Sequence, residues 1–62
     1  MYFVEILFKD TNEVKDEQIF GAPSDKIAIL AVERDLAEYR HKYSPREISV
    51  HLKNWDEIIQ TW

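Results

Sequence analysis

The hydrophobic period of this chain changes twice, and the change limits the folds that it can adopt. Residues 2–9 alternate between two faces as a strand does, residues 24–44 repeat with the 3.6-residue period of a helix, and residues 48–53 alternate again. A few short strands are stable only when one sheet face is covered, and the helix supplies that cover. We therefore predict a small two-layer α+β domain of ββαβ type, with one main helix on one face of a three-stranded antiparallel sheet.

The first two strands differ in character. Residues 2–9 are rich in aromatic and β-branched residues, which suits the centre of a sheet. Residues 14–22 carry a run of charged side chains, which is typical of an edge strand. With the third strand paired antiparallel to the first, the strand order is 2-1-3. The residues of the first strand that are predicted to face the helix are Tyr2, Val4, Ile6 and Phe8.

The helix has clear ends. Ser24 or Asp25 is suited to cap its first turn. Pro45 stops it, because the residue before a proline is driven out of the helical region. An apolar stripe predicts the surface that packs against the sheet. The stripe consists of Ala28, Ile29, Val32, Leu36, Tyr39 and Tyr43, and it meets Ile48, Val50 and Leu52 of the third strand.

The last nine residues permit two structures. Asn54 followed three residues later by Glu57 is suited to cap a helix. Apolar residues then recur at helical spacing, so a short C-terminal helix is the preferred interpretation. The alternative is a fourth strand over residues 57–62, joined to the third by a hairpin. The apolar residues concerned are Trp55, Ile58, Ile59 and Trp62.

Composition bounds the class of protein. The chain has 62 residues, 45% of them hydrophobic, a length that suits one compact domain over residues 1–62. It has no cysteine, which argues against a disulfide framework and a thiolate metal site. No apolar run reaches membrane-spanning length. We expect a cytoplasmic protein with no membrane contact.

The sequence does not predict an enzyme. Catalysis needs a nucleophile, base or metal held in a cleft, and a domain with one core layer has little material for a cleft. His41 and His51 lie on different elements without a second ligand at metal-binding spacing. One glycine cannot furnish a phosphate loop. We expect no catalytic residue, no metal site and no cofactor.

Apolar residues outside the predicted core indicate a protein-binding surface, since such clusters beside charged rims mark partner sites. The outer face of the first strand has three possible covers: the tail of this chain, a second copy, or a foreign protein. The two helix residues of the set are either exposed or buried beneath the loop that enters the helix. The candidates are Phe3, Leu7, Ile27, Leu30, Trp55 and Trp62.

The net charge of −4 is concentrated in the N-terminal half of the chain. Acidic side chains around the first hairpin would steer a basic partner by charge complementarity, or form a solvated edge. Those to test are Glu13, Asp16, Glu17 and Asp25.

A nucleic-acid-binding regulator is a less favoured alternative. Phe3 would stack bases on the sheet beside Lys9, His51 and Lys53, but the acidic balance disfavours phosphate binding. A basic patch would require several residues to converge, namely Arg34, Arg40, Lys42, Arg46 and Lys53.

In size, acidic balance, lack of cysteine and hairpin-helix-strand layout, the chain resembles many small proteins encoded by phages and mobile elements. Such proteins commonly bind and inhibit a host or rival enzyme, including nucleases and DNA-repair enzymes. The resemblance implies a non-enzymatic inhibitor or modulator of a larger protein, and it assigns no functional residue. The alternative function is a self-assembling homo-oligomeric structural subunit, with a homodimer as its simplest form.

Overall fold

The computed structural model describes residues 1–62 and contains one sheet and one helix. Strands β1 (Tyr2–Phe8), β2 (Val14–Phe20), β3 (Ile48–Asn54) and β4 (Glu57–Thr61) form an antiparallel sheet in the order β2-β1-β3-β4. Helix α1 (Asp25–Tyr43) packs on one face of this sheet. The predicted α+β class and the order 2-1-3 of the first three strands are confirmed, and β4 extends the sheet beyond β3.

The core lies between α1 and the two central strands. Alternate residues of β1 and β3 are buried, so both strands present one face to the helix as their period predicts. Partly buried side chains from the rest of the predicted helical stripe pack around this centre. The buried residues are Tyr2, Val4, Ile6, Phe8, Ala28, Val32, Ile48, Val50 and Leu52.

The helix begins and ends where its flanking residues require. The Ser24 hydroxyl accepts a 3.3 Å hydrogen bond from the backbone N–H of Ile27 and so satisfies one donor of the first turn. At the other end Ser44 is extended, with ψ 141°, as expected for the residue before Pro45. The structure has no helix long and apolar enough to cross a membrane.

The predicted C-terminal helix is wrong, and the alternative fourth strand is present. Asn54 and Glu57 are paired across a hairpin whose turn is Trp55 and Asp56. Asn54 and Glu57 are three positions apart, which is the spacing of a helix cap and also the spacing of the two residues that flank a two-residue turn. An isolated helix of eight residues is marginal in water, whereas β4 pairs with the free edge of β3.

The fourth strand also removes the possibility that the tail folds across the outer face of β1. Residues Ile59 and Trp62 pack toward the core on the helix side. The backbones of Val50 and Trp62 exchange two hydrogen bonds of 3.0 and 2.8 Å, which holds the end of the chain beside β3. Of the tail, Trp55 alone has its ring against Phe3. The outer side of the sheet consequently stays uncovered.

Candidate functional site

The side of the sheet away from α1 has no layer of this chain over it, and we call it the open face. Directly paired residues of antiparallel strands share a face, so the register of the four strands assigns its members. They are Phe3, Glu5 and Leu7 of β1; Val14, Glu17 and Ile19 of β2; Ser49, His51 and Lys53 of β3; and Ile58 and Thr61 of β4.

One row of the open face is largely apolar. Ile19, Phe3, Lys53 and Ile58 follow one another across the four strands. The Trp55 ring lies beside Phe3, with 5.9 Å between ring centroids. Ile19 and Ile58 are 60% and 53% exposed and Trp55 is 65% exposed, so large apolar side chains meet solvent at both ends of the row and beside Phe3.

Trp55 adopts a backbone conformation that bulky residues avoid. Its φ is 53°, in the left-handed region where a side chain crowds the backbone. Glycine or asparagine occupies such a turn position at lower cost. The chain therefore accepts backbone strain while placing a large, exposed ring on the open face.

The next row carries charge. Glu17, Glu5, His51 and Thr61 follow one another across the sheet. The Lys53 ammonium lies 3.2 Å from a Glu5 carboxylate oxygen. Glu17 lies directly opposite Glu5 and has no cationic group within 4.0 Å. Two adjacent carboxylates on one face repel each other, and Lys53 compensates one of them.

The structure brings together half of the six predicted partner-binding residues. Phe3, Leu7 and Trp55 share the open face. Trp62 points to the helix side, where its indole N–H donates a 3.3 Å hydrogen bond to Glu33.

The other two predicted residues are on the helix. Ile27 and Leu30 are exposed on α1, away from the sheet. Of the two alternatives for these residues, exposure and burial beneath the loop that enters the helix, the structure has the exposed one.

The four predicted acids do not form one surface. Glu13 pairs with Lys15 at 3.2 Å in the first hairpin, and Asp16 points to the helix side, 4.0 Å from the Lys42 ammonium. Asp25 accepts a 2.6 Å hydrogen bond from the Tyr2 hydroxyl. Glu17 alone among the four lies on the open face.

The basic residues are distributed over both sides of the molecule. Arg34, Arg40 and Lys42 belong to α1, and Arg46 lies in the loop after it, where its guanidinium is 2.8 Å from Asp10. Lys53 is on the open face, beyond the sheet from the helix. These five residues therefore do not converge on one patch.

A shallow groove lies on the other side, between β2 and α1. Its floor includes Val4 and Val32, and Tyr39 bounds it where its hydroxyl donates a 3.3 Å hydrogen bond to Gln18. Its volume is about 210 Å³, below the roughly 300–1,000 Å³ typical of small-molecule sites. The groove is less prominent than the open face as a binding surface.

The sequence does not predict three apolar members of the open face. Ile58 was assigned to a helix, and Ile19 lies in a strand whose pattern is interrupted by charge. Val14 shares a face with Leu7 because the register of β1 and β2 shifts between Ile6 and Leu7. Nothing in the sequence signals such a bulge.

Comparison with protein-family models, with curated proteins and with solved structures found no match to this chain.

Proposed function

We propose that this chain is a small non-enzymatic protein-binding module whose binding surface is the open face. The observation that carries the proposal is the uncovered row of Ile19, Phe3 and Ile58 beside Trp55, with charged residues in the next row. Apolar groups interleaved with a few charges are typical of protein interfaces, and tryptophan is enriched among the residues that dominate binding energy. By occupying a surface of a larger protein, such a module would inhibit or modulate it.

The conformation of Trp55 supports the same proposal. Strained backbone positions persist where the surrounding structure holds them, and they concentrate at functional sites. A folding role for this ring is limited, because the residue Trp55 is 65% exposed. The position of the Trp55 ring therefore suits partner binding better than packing of the core.

Capture from a nuclease-treated lysate, followed by reconstitution with the purified captured protein, tests the proposal. Ile19→Lys alters the open face, and Leu30→Lys is the matched control because Leu30 is similarly exposed on the helix, at 52%. We expect calorimetry to show stoichiometric binding by the wild type and by Leu30→Lys, and at least about tenfold weaker binding by Ile19→Lys. Equal binding by all three folded proteins, or no protein captured, would overturn the proposal.

A further inference from the structure

Charge divides the open face into two halves. Glu17 and Glu5 lie side by side on β2 and β1, whereas His51 and Lys53 lie on β3. Lys53 is already paired with Glu5 within the chain. The face is consequently acidic toward the β2 edge and basic toward β3, with an apolar row running across both halves.

Two open faces can pack with two-fold symmetry in two simple ways. In the first, the two-fold axis is perpendicular to the strands, so β1 lies over the partner's β1 and β2 lies over the partner's β2. Glu5 and Glu17 then face the equivalent carboxylates of the second copy. In the second, the two-fold axis is parallel to the strands and lies between β1 and β3, so β1 lies over the partner's β3 and β2 lies over the partner's β4. The acidic half of each face then lies over the basic half of the other. Like charges brought together across an interface are costly, so the charge pattern selects the second arrangement.

We propose that the open face closes on a second copy of this chain about an axis parallel to the strands. In this dimer Glu5 faces the partner's His51, and Ile19 faces the partner's Ile58. Phe3 faces the partner's Lys53, a cation above an aromatic ring. Because the interface is isologous, each of these contacts occurs twice.

The size of the face determines how tight this dimer is. Four strands about 4.8 Å apart and seven residues of about 3.3 Å each give a footprint of about 19 by 23 Å. Two such faces bury about 900 Å², in the range of weak and transient complexes. The inference rests on the face named in the proposed function, and a dimer this weak would release that face to a foreign partner.

Sedimentation equilibrium tests self-association, over concentrations from about 5 μM to about 1 mM, where an interface of this size dissociates. We expect a monomer–dimer equilibrium for the wild type. Ile19→Lys should raise the dissociation constant by about tenfold or more, because it places charge against the partner's Ile58. Leu30→Lys on the helix should leave the constant unchanged.

A second pair of variants tests the arrangement. Thr61 is paired with His51 on the open face and would lie near the partner's Glu17, whereas the neighbouring Gln60 is paired with Leu52 of the core side. Thr61→Lys should tighten the dimer by about fivefold. Gln60→Lys makes the same change of net charge on the other face and should have no such effect. With an axis across the strands, Thr61→Lys would weaken the dimer instead.

Three results would overturn the dimer: a monomer at every concentration, an association insensitive to Ile19→Lys, or a Thr61→Lys dimer no tighter than that of Gln60→Lys. These results are distinct from failure of the proposed function. A strict monomer that still binds its purified foreign partner through Ile19 would remove the dimer alone.

Discussion

The Tyr2 hydroxyl donates a 2.6 Å hydrogen bond to the Asp25 carboxylate and so ties the start of β1 to the first turn of α1. This hydrogen bond raises the pKa of the Tyr2 hydroxyl above its ordinary 10.0, and burial and the charge of Asp25 act in the same direction. The two residues are 23 positions apart in the sequence. The bond therefore links two elements that are distant in the sequence.

The raised pKa of Tyr2 predicts a loss of stability in alkaline solution. The hydrogen bond contributes fully below pH 10.0, and its contribution is lost as pH rises from that value through the raised pKa of the folded protein. We expect the difference in unfolding free energy between the wild type and Tyr2→Phe to be constant near neutral pH and to shrink in this window. Urea titrations at a series of pH values measure it, and parallel pH profiles would contradict the prediction. Tyr39, whose pKa is also raised, chiefly by burial, is present in both proteins.

Asp10 and Arg46 predict the opposite dependence in acid. The Arg46 guanidinium lies 2.8 Å from Asp10 and 3.5 Å from the centroid of the Phe8 ring. Its hydrogen bond lowers the pKa of Asp10 below the ordinary 3.8. The pair stabilises the fold above pH 3.8, and this contribution is lost as pH falls through the lowered pKa. The difference in unfolding free energy between the wild type and Asp10→Asn should decrease over that interval, and a difference independent of pH would show that ionisation of Asp10 does not stabilise the fold.

Removal of a core side chain should unfold much of the population. Leu52 is fully buried, so Leu52→Ala should cost about 2–5 kcal/mol. A single core of this size supplies about 3–5 kcal/mol in total. Leu30→Ala, at an exposed position of the helix, should change stability by less than about 0.5 kcal/mol. Chemical denaturation followed by circular dichroism compares the two, and a small effect of Leu52→Ala would place this residue outside the core.

Substitution of Trp55 should separate binding from stability. Trp55→Gly loses a ring contact with Phe3 of about 0.5–1.5 kcal/mol, but it relieves the strain of a positive φ, a cost of about 1–3 kcal/mol. We expect a net change in unfolding free energy of less than about 2 kcal/mol, with at least about tenfold weaker binding at the open face.

Trp55→Ala is the matched control, because it loses the ring and keeps the strain. Trp55→Ala should have a lower free energy of unfolding than Trp55→Gly by about 1–2 kcal/mol, the cost of the left-handed conformation for a residue with a Cβ. Equal stability of the two variants would show that the left-handed conformation costs nothing at this position.

Each element with an unbroken period of its own was predicted correctly. In β1, α1 and β3 the apolar residues recur at the spacing of one geometry, so the face that is buried follows from the pattern. In the tail, four apolar residues recur at helical spacing, but the segment is too short for this spacing to distinguish a helix from a strand. Residues 54–57 fit the spacing of a helix cap and of a hairpin equally well, and the choice depended on pairing with β3, a contact distant in sequence.

The candidate site was predicted in part for the same reason. Phe3 and Leu7 belong to a well-patterned strand, and their outward direction follows from it. Ile19 reaches the same face through the register of β2, which has an irregularity between the first turn and Ile19, and Ile58 reaches it because the tail forms a strand and not the preferred helix. A shift of one residue exchanges the two faces of a strand, so these members became visible only in three dimensions.

The separation of the two tryptophans gives the molecule an internal optical reporter. The Trp55 indole stands in solvent on the open face, while the Trp62 indole packs on the helix side with its N–H bound to Glu33. Their emission should differ in colour and in accessibility to a quencher. Docking at the open face would shift the emission of Trp55 and leave the emission of Trp62 unchanged as an internal reference. Occupancy of that face can therefore be followed by fluorescence without an added label.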